Sequence, residues 1–297
     1  MFELTDELRA RLRDLRLSAR SAAGGNGLGM HASRSRGAGL EFAQYRGYEP
    51  GDEPRRIDWK LYARSDRYFV REAERDSPLT IWIVIDASAS MAQADQARAD
   101  YSKLDAAKLL AACTIELALR QGDRFGLIGL SSQALRFVAD AAGPRQRDRC
   151  LLELAALNSG GLLPDAKKLR PLWERILPGS LVLLLSDCFD DDLVELATRL
   201  AAARREVLSI QLISAEERDF PFRSGHRFRD PETGAELRID ARLAREGFIK
   251  RFEAARAELA KRFAAAGVLH VEHVLDRALD EPLQKLFGSS QTMVERR

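Results

Sequence analysis

A run of apolar, mostly β-branched residues, I-W-I-V-I, stops at Asp86, and Ser88 and Ser90 follow at alternate positions within Ile81–Met91. One carboxylate and two hydroxyls are hard oxygen donors, a set that suits Mg²⁺, which takes few protein oxygens and keeps water or a partner's carboxylate for the rest. A second apolar run, L-V-L-L-L-S, ends at Asp187. In an open α/β sheet, strands that share a direction place their C-terminal loops at one edge, where ligands bind, so Asp86 and Asp187 meet there if their strands are neighbours.

Two other chemistries remain open on these residues. Serines at this spacing after a strand also suit a strand-to-helix turn in which they cap the next helix. An apolar strand ending in aspartate also opens Mg²⁺-dependent phosphohydrolases that use it as a nucleophile, but these need a second aspartate two residues on as general acid, and Ser88 stands there.

Arginine supplies a third candidate. Arg34, Arg36, Arg46, Arg55, Arg56, Arg64, Arg67 and Arg71 fall in one short stretch among aromatics and the acids Glu41, Asp52, Asp58 and Asp66. Stacked or bidentate guanidinium groups suit carboxylates or phosphates on a partner, with Arg46, Arg55, Arg56 and Arg64 as the candidates for that surface. Interleaved acids equally suit an internal salt-bridge lattice. His270 and His273 are three apart on a predicted strand and so face opposite ways, which argues against joint chelation. Asp190, Asp191 and Asp192 fit a helix cap and first-turn charges.

The elements that must position these groups alternate along the chain. After the strand at Ile81, helices are expected at 103–120, 145–156, 165–176, 192–203, 241–265 and 280–287. Strands are expected at 125–130, 134–138, 181–185, 207–213 and 268–273, the second of these an antiparallel edge strand. That alternation is the signature of βαβ units and a mainly parallel, doubly wound α/β sheet. Phe220–Asp240 interrupts it with two short strands around D-P-E-T-G, a small β insertion. The leucines at 4, 8, 12 and 15 predict one amphipathic helix over 1–22. The Gly- and Arg-rich stretch Gly24–Gly39 lacks the Lys and Ser or Thr of a phosphate loop, because Met30 and His31 hold those places.

With 297 residues and 45% hydrophobic content the chain has enough apolar mass for one large core with additions. Expected boundaries are an N-terminal helix, loop and arm packing on the main domain over 1–78, the α/β domain over 79–288 and a tail over 289–297. The formal charge is only +2, which argues against a general nucleic-acid binder. Three widely spaced cysteines fit reduced thiols in a cytoplasmic protein, and no stretch reaches the apolar length of a membrane span.

The stretch G-A-G-L-E-F-A-Q-Y-R-G-Y-E-P-G-D-E-P-R-R-I-D-W-K-L-Y-A-R-S-D-R-Y-F-V-R-E, Gly37–Glu72, resembles the signature of a bacterial domain-of-unknown-function family, number fifty-eight, whose members contain a von Willebrand factor A-like domain. D-A-S-A-S-M at Asp86–Met91, G-D-R-F-G-L at Gly122–Leu127 and D-P-E-T-G at Asp230–Gly234 extend the match over most of the chain. The resemblance implies a Rossmann-like sheet carrying a metal-ion-dependent adhesion site, with Asp86, Ser88 and Ser90 as its first loop and Asp187 in its third. It departs at the second loop, N-S-G-G-L-L-P, where Leu162 stands in place of a threonine. Leucine offers no oxygen, and Ser159 is the lesser candidate to replace it. The resemblance also implies a MoxR-type AAA+ ATPase as partner. The expected function is therefore a non-enzymatic protein–protein interaction adaptor in remodelling or maturation of a client protein, with Mg²⁺ at a site that has lost one ligand. The alternatives are a phosphohydrolase using Asp86 and a metal-free scaffold binding through the arginine-rich arm.

Overall fold

The computed structural model describes residues 4–18, 42–48, 54, 57–73, 78–131, 135–223 and 225–288. The chain divides into two compact units, residues 1–19 with 78–297 and residues 20–77. Helix α1 (Asp6–Arg11) belongs to the larger unit, and β1 (Phe42–Gly47), α2 (Trp59–Ser65) and β2 (Phe69–Ala73) make up the described part of the smaller one. The larger unit continues with β3 (Thr80–Asp86), α3 (Lys103–Gln121), β4 (Arg124–Leu130), β5 (Arg136–Ala141), α4 (Pro144–Ala156), α5 (Ala166–Arg175) and β6 (Leu181–Ser186). There follow α6 (Asp191–Ala202), β7 (Glu206–Ile213), α7 (Ala215–Asp219), β8 (Gly225–Arg229), β9 (Glu236–Asp240), α8 (Ala241–Ala266), β10 (Leu269–Val274) and α9 (Glu281–Phe287).

Six strands form the central sheet in the order β10-β7-β6-β3-β4-β5. All pair in parallel except β5, the antiparallel edge strand predicted from its short connection to β4. The strands at its centre are apolar throughout because both faces are covered. Alternation assigns the two faces: Ile81, Ile83 and Ile85 join the core formed with α3, and Trp82 and Val84 join the core formed with α5, α6 and α8. This is the mainly parallel, doubly wound α/β sheet that the alternation of strands and helices predicted. The insertion forms its own two-stranded antiparallel ribbon, β8 with β9. No helix among the described residues is long and apolar enough to cross a membrane.

The first helix is shorter than the leucine spacing predicts. It stops at Arg11, and Leu12, Leu15 and Leu17 are buried as irregular backbone. The carbonyls of Leu12 and Leu15 accept hydrogen bonds from Arg120 (3.2 and 2.7 Å), and the N–H and C=O of Leu17 pair with the Gln121 amide (2.8 and 2.9 Å). Tertiary partners from α3 thus replace the intrahelical bonds that periodicity alone would continue.

In the smaller unit β1 and β2 pair antiparallel, with Tyr45 opposite Arg71. Asp58 caps α2 by accepting from the N–H groups of Lys60 and Leu61, both at 3.0 Å. Tyr62 and Tyr68 stack at 4.5 Å between ring centroids, with Trp59 edge-on to both. Arg64 is exposed on α2. Arg55 and Arg56 lie outside the described residues, as does the side chain of Arg46.

Candidate site at the carboxyl edge of the sheet

Strands β3 and β6 are neighbours, with Ile85 opposite Leu185, so Asp86 and the Ser186-Asp187 step leave the sheet side by side. Asp86, Ser88 and Asp187 are almost fully buried, and Ser90 nearly so. Asp86 is held from both sides: the Ser88 N–H donates to Oδ1 at 2.8 Å and the Ser186 hydroxyl donates to Oδ2 at 2.7 Å. The Ser186 oxygen in turn accepts from the N–H of Cys188 at 2.8 Å, which fixes the turn after Asp187. Cys188 adopts a left-handed backbone, φ 59°, a conformation that costs a non-glycine residue of order 1 kcal/mol.

The capping alternative is resolved by these contacts. Ser88 precedes a single 3₁₀ turn, Ala89–Ala92, but its side chain caps nothing; its hydroxyl lies 3.0 Å from that of Ser90. Helix α3 begins at another serine, Ser102, which forms a capping box with Asp105. Ser88 and Ser90 therefore keep their oxygens at the edge, beside Asp86.

The second loop is clasped against the first. Gly160 N–H donates to the Ala87 carbonyl at 3.0 Å, Ala89 N–H donates to the Gly161 carbonyl at 2.9 Å, and the Ser131 hydroxyl donates to the Gly160 carbonyl at 2.8 Å. Leu162 follows directly and is half exposed on the rim. Ser159, half-buried in this loop, makes no hydrogen bond to Asp86, Ser88 or Ser90 among the described residues.

Charge at the edge is unevenly answered. Lys103, fully buried at the start of α3, places its ammonium 3.3 Å from Asp187 Oδ2, 2.6 Å from Glu217 Oε1 and 3.5 Å from Gln93 Oε1. Glu217 also accepts from the N–H of Ser214 at 2.8 Å, in the capping box of α7. Asp86 has no cationic partner among the described residues. Burial first, and then the nearby charge of Asp187, push its pKa up to about 6. A buried carboxylate in that position is costly unless a cation or a proton meets it. Two carboxylates and two hydroxyls fit a hard divalent cation by donor chemistry. Among the described residues no three His, Cys, Asp or Glu side chains stand together as a ready-made metal cage.

Four residues of the edge escaped sequence reasoning as site residues. Lys103, Glu217 and Ser186 are three. The fourth is Glu232, exposed in the β8–β9 turn, whose carboxyl feels the charge of the edge. Desolvation, and then the charges of Asp187, Asp190 and Asp230, hold its carboxyl above the ordinary pKa. The acidic run after Asp187 behaves as predicted: Asp190 caps α6 through the N–H groups of Asp192 and Leu193 (2.8 and 3.3 Å), and Asp191 pairs with Arg262 at 2.8 Å. His270 and His273 lie on β10 and do not join in a metal group. All three cysteines are free and buried, with thiols pushed up to about 12 by burial.

Uncharacterized protein Rv1480 of Mycobacterium tuberculosis is 29% identical over 269 residues, spanning 88% of this chain and 83% of that protein. Uncharacterized protein Mb1516 of Mycobacterium bovis matches to the same extent. Among solved structures, the conserved hypothetical protein BatB from Bacteroides thetaiotaomicron aligns with 16% identity and a TM-score of 0.45, over 70% of this chain and 95% of that one. The SpRpn10 VWA domain aligns with 12% identity and a TM-score of 0.41, over 72% and 98%. A family model matches residues 44–258, from the arm through β3 to β7 and the insertion into α8. The chain belongs to the family described as Protein of unknown function DUF58.

Proposed function

We propose that this chain is a non-enzymatic adaptor that receives an acidic side chain of a partner protein at the carboxyl edge of its sheet, through Mg²⁺ held by Asp86, Ser88, Ser90 and Asp187. One observation carries the reading: the β3–β6 pairing gathers these four residues and leaves Asp86 buried without a cationic partner among the described residues. A cation there would satisfy Asp86 and retain open positions for a carboxylate from outside. Exposed Leu162 and Phe189 at the ends of the second and third loops add apolar area around that polar centre, the composition of a protein contact rather than of a small-molecule cleft. In keeping with the family resemblance, the partner would be a MoxR-type AAA+ ATPase, acting in the cytoplasm on a client to be remodelled or matured.

The phosphohydrolase alternative lacks its general acid, because the Ser88 hydroxyl is turned to Ser90 and cannot supply a carboxyl proton. A scaffold using the arginine-rich arm has exposed Arg64 in its favour.

Calorimetric titration of Mg²⁺ and Mn²⁺ into wild type and Asp86→Ala tests the metal. Heat in wild type that is lost in the variant is expected, and absence of heat in both would sink the metal-dependent reading. Co-purification with the MoxR-type ATPase of the same host, in Mg²⁺ against chelator, tests the partner; recovery indifferent to chelator would move the contact away from this edge. Phosphatase turnover that vanishes in Asp86→Asn would turn the reading to an enzyme.

A further inference from the structure

Four aromatic rings stand together on the smaller unit, and the local backbone fixes them. The Tyr48 N–H donates to the Tyr68 carbonyl at 2.9 Å, and the Asp58 N–H donates to the Phe69 carbonyl at 2.9 Å, which ties the start of α2 to β2. Trp59 and Tyr62 lie three residues apart on α2 and share a face. Asp66, left-handed at φ 53°, ends the helix and turns the chain back to Tyr68. The stacked pair of Tyr62 and Tyr68 is thereby flanked on one side by Trp59 and on the other by Tyr48, whose ring lies 6.2 Å from that of Tyr68. Three of the four rings face solvent: Trp59 is 57% exposed, Tyr68 48% and Tyr48 36%. A rigid group of exposed rings is the composition of a contact hot spot, in which Trp, Tyr and Arg dominate.

The charges beside these rings say what covers them. Lys60, Arg64 and Arg67 are exposed, and none makes an ion pair among the described residues, whereas an internal salt-bridge lattice would have paired them. Lys60 and Arg64 are four residues apart and share one side of α2. The nearby Asp58 carboxylate is turned to the N–H groups of Lys60 and Leu61 as the helix cap. Asp58 and Asp66 bound α2 at its two ends, so the cations form a short cluster and not the continuous track that a phosphate backbone follows. Cations left over beside exposed aromatics complement carboxylates that neighbour an apolar side chain. We infer that this cluster is a docking surface for an acidic segment of a partner protein, which lays an apolar side chain on Trp59 and Tyr68 and its carboxylates on Lys60, Arg64 and Arg67. The surface belongs to the smaller unit and the edge site to the larger one, and no cation at the edge is needed for it.

The test is selection of displayed random dodecapeptides on the full chain in chelator. Enriched peptides should carry Asp or Glu beside an aromatic or leucine anchor. Followed by anisotropy of the labelled peptide, affinity should fall about tenfold or more in Trp59→Ala and again in the double variant Lys60→Gln with Arg64→Gln, and it should weaken with added salt. The double variant changes only exposed side chains, so it should melt at the wild-type temperature, which separates a lost contact from lost folding. No enrichment, peptides enriched without acids, or equal binding by the double variant overturns the assignment. Tighter binding of labelled oligo(dT) than of the peptide also overturns it, in favour of a nucleic-acid site. Self-association of wild type that vanishes in Trp59→Ala does so in favour of a second copy of this chain. Because Mg²⁺ is absent throughout, none of these results bears on the edge-site reading.

Discussion

The Lys103 ammonium and the Asp187 carboxylate form an ion pair of 3.3 Å in which both side chains are buried, and Glu217 joins it at 2.6 Å. The pair spans the start of α3 and the end of β6, so it welds the first and third loops of the edge together. Removing one member of a buried pair leaves the other charge without its counterion, which typically costs about 3–5 kcal/mol. Lys103→Met should lose stability of that order in urea denaturation. A loss below about 1 kcal/mol, the scale of an exposed pair, would mean that water or a repacked neighbour screens Asp187 and Glu217.

Leu162 follows a loop that is hydrogen-bonded through Gly160 and Gly161 to Ala87 and Ala89, so its position beside the first loop is fixed by backbone contacts. A threonine there would add one hydroxyl oxygen to the donor set. Leu162→Thr should raise Mg²⁺ affinity by about tenfold, the worth of one added favourable ligand. A calorimetric titration superimposable on wild type would show that residue 162 does not face the site.

Gly126 on β4 has no room for a side chain. A Cβ there would lie 2.7 and 2.9 Å from ring carbons of Trp82 and 2.9 Å from the carbonyl oxygen of Val138. Trp82 is fully buried between strands and helices and stacks on Phe137 at 5.5 Å, so it has little freedom to withdraw. Gly126→Ala should therefore cost about 1–3 kcal/mol by overpacking, read as a lowered urea midpoint with unchanged slope. A midpoint equal to wild type would show that the Trp82 ring shifts freely.

The parts of the edge that were legible in sequence are those carried by local pattern. Asp86 and Asp187 close uninterrupted apolar runs, and such runs are buried parallel strands, so their last residues fall at the ligand-binding edge whatever the rest of the chain does. Lys103, Glu217 and Glu232 gave no comparable signal. Each sits in a polar stretch that reads as a helix start or a turn, and Lys103 and Glu217 reach the edge only through contacts across more than 80 residues of chain. The first helix failed for the same reason in reverse: its leucines do face the core, but Arg120 and Gln121 capture the backbone that would have continued it.

His273 sets the acid limb of stability. It lies on β10, 1% exposed, and neither ring nitrogen has a hydrogen-bond partner among the described residues. Burial pushes its pKa down to about 4, against smaller upward pulls from Glu281 and Asp276. The unfolded chain takes up this proton near pH 6.5, whereas the folded protein refuses it until about pH 4. Across that window the unfolded state binds more protons, so stability falls as pH drops, by roughly 3 kcal/mol in all, and this contribution levels off below the folded value. Asp86 works in the opposite sense, since its raised pKa lets the folded state take a proton before the unfolded chain does. The two overlap, so the measurement is a difference: urea stability of wild type minus that of His273→Phe, in chelator, from pH 7.5 to pH 4. The Asp86 contribution cancels in the subtraction, and the difference should move steadily in favour of the variant as pH falls. A difference independent of pH would mean that the folded protein protonates His273 as readily as the unfolded chain, through an opening of the β10–α9 packing that lets water reach the ring.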